Sequence, residues 1–136
     1  ARRVDEGAIP FQETMRALQI IIECLLPTTM TVGGREYEIL DFLQDGKSFV
    51  KSDVMVARAK KMNANLGEED ACHILVYQHD IPAALQGKVV FVFTDWRRPD
   101  DSGSVCYVYW GGGRWVRGWR WLDRAFGEDG RVLRRK

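Results

Sequence analysis

The chain has 136 residues, 46% hydrophobic and 29% charged, with a formal net charge of +1. That composition describes a soluble globular domain over residues 1–136 with a real core, residues 1–9 being frayed, and it excludes a disordered chain. The near-neutral total argues against strong nonspecific nucleic-acid binding, which rests on net phosphate neutralisation.

In chain order, Pro10 suits the first turn of a helix running to about Leu26 and stopped by Pro27. Gln12, Arg16, Gln19 and Glu23 form one narrow polar stripe, and almost everything else is apolar: Met15, Leu18, Ile20, Ile21, Ile22, Leu25 and Leu26. Such a helix is either central to the core or packed on a second copy, so the segment Met15–Leu26 is the candidate for self-association. Thr29–Val32 and Arg35–Leu40 flank Gly33-Gly34 and predict a β-hairpin. Asp45-Gly46 marks a turn, and Ser52-Asp53 opens a helix to about Asn63. Glu68, Glu69 and Asp70 load the first turn of another helix to about Gln78, where acids complement the helix dipole. Asp80-Ile81-Pro82 opens a short helical turn that Gln86-Gly87 ends.

From Lys88 the pattern becomes β. Val89–Phe93 reads as a strand covered on both faces, Arg97–Gly103 as a polar loop, and Val105–Trp110 as a second strand. Gly111–Gly113 is the turn into a third strand, Arg114–Leu122. Arg131–Leu133 adds a short edge strand, with Arg134, Arg135 and Lys136 left in solvent. The expected fold class is therefore α+β, with helices packed on one face of a three- to four-stranded antiparallel sheet formed by the C-terminal half.

All five tryptophans fall between Trp96 and Trp121, interleaved with arginines. On a strand, Trp115, Arg117, Trp119 and Trp121 share one face, and Arg114, Val116, Gly118, Arg120 and Leu122 share the other. Charge is divided in the same sense. Residues 1–86 hold 9 Lys and Arg against 13 Asp and Glu, net −4, whereas residues 87–136 hold 11 against 6, net +5. Rings beside guanidinium groups either close a core by cross-strand and cation–π contacts or stack on a ligand. The candidate binding residues are Trp110, Trp115, Arg117, Trp119, Arg120 and Trp121. Of the two outcomes, burial of Trp115, Trp119 and Trp121 with Arg114 and Arg120 facing water is the one expected.

Other chemistry is thinner. His73 lies one turn after Glu69, and no further ligand of metal spacing joins them; His79 at a helix end is explained by the dipole. Glu36 and Glu38 share a strand face, Asp100-Asp101 reads as a turn pair, and the Gly111–Gly113 run joins two strands rather than leading into a phosphate-binding helix. Cys24, Cys72 and Cys106 are far apart, without a Cys-x-x-Cys pair, as in reduced thiols of a cytoplasmic protein. No apolar run reaches the roughly 20 residues of a membrane span, and no signal-peptide pattern is present.

The segments Asn65–Asp70, Gln78–Pro82, Val92–Trp96 and Trp110–Trp121 resemble those of short bacterial proteins to which no activity is attached. The resemblance implies a bacterial, cytoplasmic setting and carries over no site residue. The functional expectation is a non-catalytic binding or interaction module, homodimeric if the first helix is its interface, with a protein or nucleic-acid partner and neither cofactor nor metal. Two alternatives are a single-stranded nucleic-acid-binding protein using the Trp/Arg sheet, and a small enzyme or ligand-binding protein with a pocket near Glu69 and His73.

Overall fold

Gly33 and Gly34 sit at φ +54° and +82°, the paired left-handed turn that joins strands β1 (Thr29–Val32) and β2 (Arg35–Leu40) without splaying them. The computed structural model describes residues 26–41, 49–50, 52–122, 126–127 and 129–136. The helix expected from Pro10, with its self-association face, and the turn at Asp45-Gly46 lie outside the described residues, apart from Leu26. Helices α1 (Ser52–Lys61) and α2 (Glu68–Val76) come next, then two short 3-10 turns, Gln78–Asp80 and Ala83–Leu85. The long strands are β4 (Val90–Arg98), β5 (Asp101–Gly111), β6 (Arg114–Trp121) and β8 (Gly130–Arg135). A separate ribbon pairs β3 (Phe49–Val50) with β7 (Phe126–Gly127).

The class is α+β, but the sheet differs from the expected one. It has six strands in the order β1-β2-β8-β4-β5-β6, and it is mixed, because β8 runs parallel to β4 while all other neighbours are antiparallel. The N-terminal hairpin therefore belongs to the same sheet as the C-terminal strands. Segment 131–133, expected at an edge, lies inside the sheet between β2 and β4. Adjacent Val132 and Leu133 are both buried, one on each face, as an interior strand requires.

Helices cover both faces rather than one. Ala71 and Ile74 of α2 pack with Phe91, Phe93, Cys106, Val108, Trp115 and Leu133. Met55 and Ala59 of α1 pack with Val92, Val105 and Val132, which the strand alternation turns to the opposite side. The continuous apolar run of β4 thus feeds two cores at once. The region expected as a polar loop at 97–103 is mostly strand. Between Phe93↔Cys106 and Arg97↔Val105 the strand β4 carries three unmatched residues, a wide bulge that re-aims Trp96.

One carboxylate ties α2 to the sheet. Asp70 is only 4% exposed, and Tyr37 Oη of β2 donates to its Oδ1 at 2.7 Å. Arg135 of β8 donates from Nε to Oδ1 at 2.8 Å and from its terminal nitrogen to Oδ2 at 3.0 Å, while Arg35 reaches Oδ1 at 3.3 Å. Both arginines also pair with Glu69. The C-terminal basic residues are therefore not simply solvated, since Arg134 likewise bonds Glu38 at 2.9 Å and the Met62 carbonyl at 3.1 Å.

Burial pushes the Asp70 carboxyl upward, but hydrogen bonds from Arg135 and Tyr37 and the charges of both arginines outweigh it and hold the group below the ordinary carboxylate range. The Tyr37 hydroxyl is pushed up to about 12, by burial first and by its bond to Asp70 second. A depressed carboxylate contributes stability that is complete above the unfolded-state pKa and is lost as pH falls through the lower folded value. Asp70→Asn is accordingly expected to cost about 2 kcal/mol in urea unfolding at neutral pH. The gap between variant and wild type closes as the pH is lowered through the carboxylate range; a gap independent of pH there contradicts the assignment.

Candidate binding surface

The strand β6 places its aromatic and basic side chains at sharply different depths. On the α2 face Trp115 is 1% exposed and Trp121 is 51% exposed, with Trp119 half-buried between them and Arg117 exposed. The face alternation anticipated from sequence holds, but of the three rings expected to be buried only Trp115 is, and Arg120, expected in water, is half-buried; the α2 face is not uniformly core. It starts beneath α2 and the 3-10 turns and runs out beyond them. Trp115 packs against Phe91 (ring centroids 5.3 Å apart) and edge-on to Trp110 (5.7 Å). It is a core residue and closed to a ligand.

At the far end, Trp96 and Trp119 meet edge to face at 5.4 Å and 76°. The Arg117 guanidinium carbon lies 5.3 Å from the Trp96 ring centre and 5.1 Å from that of Trp119. Each such contact at an exposed position is worth about 0.5–1 kcal/mol. Together they orient the Arg117 guanidinium while the residue stays exposed, with Trp121 further along the same strand face. Trp96 was not among the residues singled out from sequence; the β4 bulge is what carries it there.

The remaining candidates separate. Trp110 lines a cleft of about 470 Å³ with Gln78, Asp80, Pro82, Gln86 and Gly113. Arg120 lies on the opposite face, half-buried, in register with Val105; the rings of Tyr107 and Tyr109 stack on that face, 5.1 Å apart. A Cβ at Gly118 would come within 2.8 Å of the Tyr107 ring, which would have to shift to make room. Of the six sequence candidates, Arg117, Trp119 and Trp121 form a surface, and Trp96 completes it.

Several of the groups considered for catalysis are engaged in the fold. His73 donates from Nε2 to the Val32 carbonyl at 2.8 Å and leans on Tyr77 at 4.9 Å. Those two rings form the seat of Gly33, where any Cβ would collide, and Asp80 accepts the Gly33 N–H at 2.9 Å. Glu38 is held by Arg134, whose hydrogen bond lowers its carboxyl, while Asp100 pairs with Arg98 and Asp101 accepts the Gly103 N–H. The Cys106 thiol is pushed up to about 12 by burial, whereas Cys72 is exposed. Among the described residues no group of three His, Cys, Asp or Glu is placed to hold a metal, and no helix is long and apolar enough to cross a membrane.

Comparison with protein-family models, with curated proteins and with solved structures finds no match for this chain. Its functional reading rests on the surface itself.

The depth difference along β6 has a direct consequence. Trp115→Ala is expected to lower unfolding stability by about 3–5 kcal/mol, the cost of emptying a packed aromatic site. Trp121→Ala is expected to stay within about 0.5 kcal/mol of wild type. Equal costs in denaturant unfolding would contradict the burial pattern.

Proposed function

We propose that the protein is a non-catalytic binding module whose contact surface is Trp96, Arg117, Trp119 and Trp121. The observation that carries this reading is Arg117, exposed and held over two indoles, on the same strand face as a tryptophan left 51% exposed. Exposed rings and a pre-oriented guanidinium are the side chains that lose least entropy when they anchor a partner. The chemistry favours an anionic partner, because Arg114 and Arg117 are exposed and β6 bears no carboxylate. A cytoplasmic setting suits the free thiols at Cys72 and Cys106. Self-association through the segment Met15–Leu26 is a separate part of the proposal and is read by light scattering.

Tryptophan emission tests the surface. Titration with polyglutamate, and in parallel with a twelve-residue oligothymidylate, is expected to shift the emission for at least one probe, more at low salt than at high. The double variant Arg117→Ala/Trp121→Ala, both positions being exposed, is expected to stay folded, losing no more than about 2 kcal/mol, and to lose the response. Unchanged emission with both probes, or a response that survives in the double variant, would overturn the assignment.

A further inference from the structure

Among the described residues, the β6 edge of the sheet is closed at one end and open at the other. The side-chain amide of Gln78 acts there as a piece of strand backbone. Its Oε1 accepts the Trp115 N–H at 2.9 Å, and its Nε2 donates to the Trp115 carbonyl at 3.2 Å. Trp115 thus directs both backbone groups away from β5. Antiparallel pairing alternates strictly, so Arg117, Trp119 and Trp121 direct theirs outward as well, while Val116, Gly118 and Arg120 face β5. The Leu122 N–H, bonded to the Gly103 carbonyl at 2.7 Å, keeps the same phase to the end. Pairing with β5 is continuous from Trp121 to Arg114, with no bulge to turn the edge aside. Among the described residues nothing bonds the outward groups of Arg117, Trp119 and Trp121.

An unpaired row of this kind is a template for a further strand. We infer that β6, from Arg117 to Trp121, takes an extended acidic peptide segment as a seventh strand of the sheet. This rests on the binding reading above and gives it an occupant and a mode. The open stretch accommodates about five residues, roughly 13 Å of strand. A carboxylate opposite Arg117 and apolar side chains opposite Trp119 and Trp121 match the row on the α2 face. A second copy using the same open stretch would add its own Arg117 and Arg120 to the two already there, with no carboxylate in either β6 to offset them. Single-stranded nucleic acid could stack on Trp121, but it has no amide row to satisfy the outward backbone groups.

The full chain is panned against a display library of random dodecapeptides, and the best binder is resynthesised in two forms, each N-methylated on one alternating set of amides. Strand addition predicts acidic–apolar alternation in the selected sequences. It also predicts that one methylated form binds at least about tenfold more weakly, while the other stays near the parent. Equal effects of both methylations, or selection of basic sequences, would overturn strand addition and leave the binding surface standing. Binding of the oligothymidylate with no peptide selected would overturn it in favour of nucleic acid. A dimer in light scattering that no peptide displaces would overturn it in favour of a second copy. If no probe binds at all, strand addition and the binding reading fall together.

Discussion

The fold depends on the Asp70 carboxylate, which joins three segments far apart in sequence. A helix near the middle of the chain is held to β2 by Tyr37 and Arg35 and to the last strand by Arg135. A buried carboxylate is tolerable only when hydrogen bonds replace its lost water, and here four donors do so. Fixing α2 in this way also fixes the residues at its C-terminal end. Tyr77 and His73 seat the tip of the N-terminal hairpin, and Gln78 meets Trp115 at the opposite edge of the sheet. The clamp thereby sets where cover over β6 ends and the exposed surface begins.

Much of this was readable locally. The Gly33-Gly34 hairpin, the two helices, the doubly covered run at β4 and the face alternation along β6 all come from turn chemistry and periodicity. What escaped was long-range. No local pattern places Val132 and Leu133 between strands some 40 and 90 residues earlier, and a parallel neighbour leaves no hairpin signature. Arg134 and Arg135 looked like a solvated tail because nothing near them in sequence is acidic in the right geometry; their partners are Glu38 and Asp70. With β8 missing from the interior, a small one-sided sheet was the natural expectation. Its inclusion widens the sheet until each face needs its own helix.

The tryptophans show how pattern and depth part company. Alternation decided which side of β6 each ring occupies, but not how far the covering elements reach along the strand. Trp115 and Trp121 share a face and differ completely in exposure. Trp96 joined the surface only through a bulge in β4, and Gln78 closed the start of the edge by imitating backbone. Neither device leaves a mark in the residues around it.

The central claim is that β6 is an edge sealed at Trp115 and open beyond it, and residue-resolved amide hydrogen exchange on the free protein tests this most directly. The account predicts slow exchange at Trp115, Val116, Gly118 and Arg120, and fast exchange at Arg117, Trp119 and Trp121. Uniform protection along the strand would mean that another segment already pairs with that edge, and would contradict the account.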